Sequence, residues 1–129
     1  MANNFYSPKV IEHFRNPHNY GRMKNPSGLG KAGNPVCGDV LYLYIKVGKN
    51  EIIENIKFET IGCAAAIAVS SIVTDLAKGK TIKQALKIDS NKVVKLLGGL
   101  PAIKYHCSLL GVEALRAAIR DYLKLDKNS

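Results

Sequence analysis

At 129 residues, 47% of them hydrophobic, the chain has the length of a single domain (residues 1–129) and enough apolar content to bury a core without disulfides. The net charge of +9 raises nucleic-acid binding, but 15 of the 19 basic residues are lysines scattered among acids, with no aromatic residues interleaved for stacking. This favours a solvated surface first and an acidic protein partner second, and argues against nucleic acid. Three cysteines, no signal-peptide pattern over Met1 to Pro8 and no apolar run longer than Ala64 to Val69 predict a cytoplasmic protein with no membrane partner.

The first predicted element is a short helix. Ser7 is its N-cap, Pro8 stands at the first helical position, and the helix runs to about Arg15, with Val10, Ile11 and Phe14 on one face. From Asn16 to Pro35 the turn signals of glycine and proline predict the longest irregular segment. A hairpin follows. Leu41, Leu43, Ile45 and Val47 alternate with Tyr42, Tyr44 and Lys46, Ile56 and Phe58 alternate with polar residues, and Gly48-Lys49-Asn50 makes the turn.

From Ala64 the pattern is helical up to Lys78, where Gly79 stops it. Thr81 and Gln84 form a capping-box pair. Asp89 or Ser90 caps the next helix, which Gly98-Gly99 ends. The last helix runs from about Cys107 to Leu125, with Val112, Leu115, Ile119 and Tyr122 along one side and Glu113, Arg116, Arg120 and Lys124 along the other. This order predicts an α+β fold with segregated layers.

The three cysteines stand at element boundaries, separated by 25 and 43 residues. Cys37 precedes Gly38 and Asp39, Cys63 opens one helix, and Cys107 opens another beside His106. A helix start offers unpaired N–H groups and partial positive charge, which favour the thiolate that metal binding needs. Singly, each cysteine reads equally well as a small buried hydrophobe. Together, three thiolates, a carboxylate and an imidazole suit a soft metal ion or an iron–sulfur cluster. Lone His13 and His18 read as surface residues without a role.

Four ordered motifs carry a resemblance. They are Asn16-Pro17-His18-Asn19-Tyr20-Gly21; Asn34-Pro35-Val36-Cys37-Gly38-Asp39; Gly62-Cys63-Ala64-Ala65-Ala66; and Leu100-Pro101-Ala102-Ile103-Lys104-Tyr105-His106-Cys107. With the tail from Glu113 to Tyr122, the chain resembles the IscU/NifU-type iron–sulfur cluster assembly scaffolds over nearly its whole length. The resemblance implies a three-stranded antiparallel sheet with helices packed on one face.

It also implies a scaffold, not an enzyme. A cysteine desulfurase of the IscS/NifS kind supplies persulfide sulfur, iron is added, and a [2Fe-2S] cluster is built and passed to acceptor apo-proteins. Cys37, Cys63 and Cys107 would be ligands, with Asp39 or His106 in the fourth place, and Cys107 would accept the persulfide. An oxygen donor such as Asp39 among thiolates makes one corner labile. Zinc can take the cluster's place, and a homo-oligomer in the cluster-bound form stays open.

The chain departs from the family pattern twice: Ala64 replaces a glycine, and Ala102 and Ile103 replace the second proline and the valine of a Leu-Pro-Pro-Val-Lys segment bound by an Hsp70-type chaperone. Losing that proline weakens the case for the chaperone. The main rival is a zinc-dependent sulfurtransferase of the SufU type. The short interval between Cys63 and Cys107 and the presence of His106 favour the scaffold over it. A plain structural zinc domain ranks below both.

Overall fold

The structure is a computed structural model. It describes residues 6–34, 39–101 and 105–128, without the side chains of Asn34, Asp39 and residues 125–128. Helix α1 (Pro8–Arg15) begins as its sequence predicts: Val10 N–H donates to the Ser7 hydroxyl, and proline opens the helix. Ser7 also donates to the Leu97 carbonyl and so ties α1 to a later helix. The buried face differs from the expected one. Val10 and His13 are buried, whereas Phe14 is 45% exposed. His13 goes inside because the Ser71 hydroxyl meets its Nδ1 at 2.7 Å, satisfying a polar atom that burial would otherwise penalise.

Three strands, β1 (Gly28–Asn34), β2 (Asp39–Val47) and β3 (Ile53–Ile61), form an antiparallel sheet in the order β1-β2-β3. Gly30 opposes Leu43, and Leu43 opposes Phe58. Strand β1 lies inside the segment expected to be irregular. Its inward positions Gly28 and Gly30 are glycines because helix α5 (His106–Asn128) crosses them at backbone distance, and small Ala32 follows on the same face. A Cβ on Gly28 would lie 2.2 Å from the Ala118 carbonyl oxygen, and one on Gly30 would lie 2.1 Å from that of Ala114. Leu29 N–H donates to the Asp121 carboxylate at 2.9 Å, which fastens the same strand to α5.

The hairpin of β2 and β3 follows the predicted alternation. Leu41, Leu43, Ile45, Ile56 and Phe58 are fully buried under the helices. On the other face Tyr44 donates to Glu59 at 2.7 Å and Arg22 donates to the same carboxylate at 3.1 Å. Those two donors hold the Glu59 carboxyl below its usual range. The outer edge of β3 is covered, because Phe58 N–H donates to the Asn19 carbonyl and Gly21 N–H to the Phe58 carbonyl.

Helix α2 (Ala64–Ala77) is the central pillar, with Ala65, Ala66, Ala68, Val69 and Val73 buried against sheet and helices. Its buried hydroxyls are satisfied locally: Ser70 donates to the Ala66 carbonyl and Thr74 to that of Ser71. Helix α3 (Ile82–Ala85) carries both halves of the Thr81–Gln84 capping box. Of the two cap candidates for α4 (Ser90–Leu96), Asp89 is the cap, accepting from Lys92 N–H. Helix α5 starts one residue before and ends three residues beyond the predicted bounds, with Val112, Leu115 and Ile119 inward and Glu113, Arg116, Arg120 and Lys124 outward. Among the described residues no helix is long and apolar enough to cross a membrane. The result is an α+β fold with its helices against one face of a three-stranded antiparallel sheet.

Candidate thiolate metal centre

Two of the three cysteines meet. Cys63 is the N-cap of α2, placed there by the end of β3 at Ile61. Cys107 is the second residue of α5. Their sulfurs lie 3.7 Å apart, a non-bonded distance that one metal ion or one cluster can span. The Nε2 atom of His106 is 3.7 Å from the Cys107 sulfur. Cys107 is fully buried, while Cys63 and His106 are partly exposed. Packing one turn further along α5 permits this approach. A Cβ on Gly111 would sit 2.7 Å from Cγ1 of buried Val69 on α2, so glycine lets the two helices close together.

The electrostatics suit an anion. Both thiols stand at helix N-termini, and neither α2 nor α5 carries an acid in its first turn. The Cys63 side chain makes no capping bond to its own helix. The positive ends of two helix dipoles thus stand beside the two thiols, where they favour a thiolate or a negatively charged cluster.

Cys37 lies outside the described residues, as does the side chain of Asp39. The Asp39 backbone opens β2 opposite Asn34, and its neighbour Val40 pairs with Ile61, two residues before Cys63. The strand register thus puts the start of β2 at the same end of the sheet as Cys63. Lys104 and the substituted Ala102-Ile103 pair of the chaperone-type segment also lie outside the described residues. Ala64 is the first residue of α2.

A second group of ligand-type side chains gathers elsewhere. His13, His18 and Asp75 each offer an atom within 4.8 Å of the others. Neither histidine has a role visible in its local sequence, because the partners Ser71 and Asp75 are more than fifty residues away along the chain. The available signal was position: His13 follows Val10 by three residues and so shares its buried helix face. Burial, then the neighbouring His18, push the His13 imidazole below its ordinary value of 6.5, against the pull of Asp75 and Glu12.

The chain matches the family model described as NifU-like N terminal domain over residues 5–129. It is 56% identical over 126 residues to iron–sulfur cluster assembly scaffold protein IscU 1 of Archaeoglobus fulgidus, covering 95% of this chain and 82% of that one. To the scaffold protein IscU of Aquifex aeolicus it is 48% identical over 119 residues, covering 92% and 76%. The crystal structure of FiSufU, a SUF-system protein of Fervidobacterium islandicum AW-1, superposes with a TM-score of 0.74 at 22% identity, covering 92% of this chain and 99% of that one. At that identity the likeness shows a shared fold. Together with the paired thiols at two helix starts, these matches establish that the chain belongs to the IscU/NifU-type iron–sulfur cluster assembly scaffold proteins.

Proposed function

We propose that this scaffold builds a [2Fe-2S] cluster at Cys37, Asp39, Cys63, His106 and Cys107 and hands it to acceptor apo-proteins. The observation that carries this reading is the approach of Cys63 and Cys107 to 3.7 Å at two helix N-termini, with His106 beside them. Three thiolates bind iron tightly, and a carboxylate or imidazole at the fourth position is a weaker donor to a soft site. That mixed set suits transient holding. A permanent zinc site of the SufU type would use the same cysteines, and the presence of His106 and the family relatives named as scaffolds favour the cluster.

Sulfur arrives as the persulfide of a cysteine desulfurase. The Cys107 thiolate attacks the outer sulfur, forming a new S–S bond, while the old one breaks and releases the desulfurase thiolate. Two electrons from a thiol or iron–sulfur reductant then split the Cys107 persulfide into thiolate and sulfide. Two such rounds supply two sulfides, which with two ferric ions complete the oxidised cluster; where the iron enters as ferrous ion, each ion supplies one of the four electrons that the two persulfides need. Cys107 is fully buried in this conformation, so delivery to it needs an opening step. The partial exposure of Cys63 supports a second reading, in which Cys63 takes the sulfur first.

Mass spectrometry after incubation with a desulfurase and cysteine separates the two. The first reading predicts that Cys107→Ser loses the added sulfur and Cys63→Ser keeps it; the reverse pattern moves the acceptor role to Cys63. Asp39→Ala should lengthen the life of a bound cluster under chelator challenge. Loss at the parent rate would remove Asp39 from the labile corner.

A further inference from the structure

The group of His13, His18 and Asp75 has more built into it than a surface ion pair. His18 Nδ1 lies 2.6 Å from Asp75 Oδ2, and the two imidazole rings are 4.7 Å apart between centroids, tilted by 54°. The His13 and Asp75 side chains each have a further partner, and the backbone at His18 is fixed by one. The Ser71 hydroxyl meets His13 Nδ1 at 2.7 Å and accepts the His18 backbone N–H at 2.8 Å. The Asn19 amide donates to Asp75 Oδ1 at 3.0 Å and to Thr74 Oγ1 at 3.0 Å, which turns Oδ2 toward His18. With its proton on Nδ1, His13 donates to Ser71 and presents the Nε2 lone pair. This is the outer-shell arrangement that fixes ring orientation in metal-binding histidines.

We propose that His13, His18 and Asp75 form a second metal site, for a borderline divalent transition ion such as Co2+, Zn2+ or Fe2+. Two imidazoles and one carboxylate match that class of ion and leave coordination positions to water. The ion takes the place of the proton shared between His18 Nδ1 and Asp75 Oδ2. The side chains of His18 and Asp75 are 47% and 39% exposed, so the ion enters from solvent without opening the core. Asp75 lies twelve residues along α2 from Cys63, about 18 Å at the helical rise per residue. The two sites share no ligand.

A purely structural latch would show the same hydrogen bonds without taking up metal, and a titration distinguishes the two. The reduced, metal-free full-length protein is titrated with Co2+ without oxygen. Binding at thiolates gives strong near-ultraviolet sulfur-to-metal absorption, whereas binding at imidazoles and a carboxylate gives only weak visible bands. The proposal expects an ion of the second kind in the parent protein, retained when Cys63→Ser and Cys107→Ser are combined. His18→Ala and Asp75→Asn should each remove it while the thiolate absorption stays. Ser71→Ala should weaken it by about tenfold by freeing both histidines. Should His18→Ala fail to fold, imidazole NMR of the parent protein with Zn2+ decides: His13 and His18 signals shift if the proposal holds. A parent protein that binds metal only at thiolates, a second ion indifferent to His18→Ala and Asp75→Asn, or an NMR response confined to His106 would each overturn it.

Discussion

Helix α2 joins two regions of opposite character. At its N-terminal end stand the soft candidate ligands Cys63 and Cys107, the latter brought across by α5 with the His106 imidazole beside it. The Cys63 side chain makes no capping bond there, and neither helix start carries an acid to neutralise it. Toward its C-terminal end, Ser71, Thr74 and Asp75 are held by His13, His18 and Asn19 in a mesh of hydrogen bonds between 2.6 and 3.0 Å. The fold thus places a hydrogen-bonded group of imidazoles and a carboxylate toward one end of α2 and the pair of thiols at the other. Substitutions at the fastened end should therefore cost stability with little effect on the thiols, while substitutions under α5 should disturb both.

The largest effect on stability is expected from Gly30→Ala. The added methyl would press on the Ala114 carbonyl at 2.1 Å, and backbone cannot move aside as a side chain can. We expect a loss of about 3 kcal/mol in urea denaturation, at the upper end for overpacking, together with weaker metal binding at the thiols as α5 is displaced. His13→Ala should cost about 2 kcal/mol through the lost Ser71 contact and the space left behind, with thiolate metal affinity unchanged in the folded protein. A fall in that affinity would break the comparison between the two ends.

The smallest effect is pH dependence. The folded-state value of His13 lies below its unfolded value of about 6.5, so the unfolded chain binds more protons between the two. Stability is then full above pH 6.5 and falls as pH drops through the folded value. Lys9, Glu12, His18 and Asp75 surround the ring and all influence the slope. Metal-free His13→Ala, followed by denaturation against pH with chelator present, should lack this component. An unchanged slope would assign it to other groups.

The readable parts of the fold were those where local chemistry and tertiary packing agree. Ser7-Pro8, the Thr81–Gln84 box, Asp89 and Gly79 act within a few residues of themselves, so their elements were legible. The alternation of Leu41, Leu43 and Ile45 was legible because those side chains fill the core. Strand β1 was not, because α5 backbone occupies the space that its inward side chains would fill, and Gly28 and Gly30 erase the apolar alternation. The third strand came only from the resemblance to known scaffolds.

The candidate site divides in the same way. Cys63 and Cys107 could be placed at helix starts from their own neighbours, yet their meeting joins residues 44 apart and depends on Gly111 admitting Val69. His13 gave only its place three residues after buried Val10, and His18 gave no local sign, since the partners of both lie on α2.

One measurement bears most directly on the thiolate end. The protein is purified without oxygen and supplied with iron, cysteine and a desulfurase, and its visible spectrum is recorded with iron and sulfide content. We expect a [2Fe-2S] spectrum that passes to an apo-ferredoxin and is lost in Cys63→Ser and Cys107→Ser. Tightly held stoichiometric zinc with no cluster formed, or a cluster indifferent to both substitutions, would contradict the assignment.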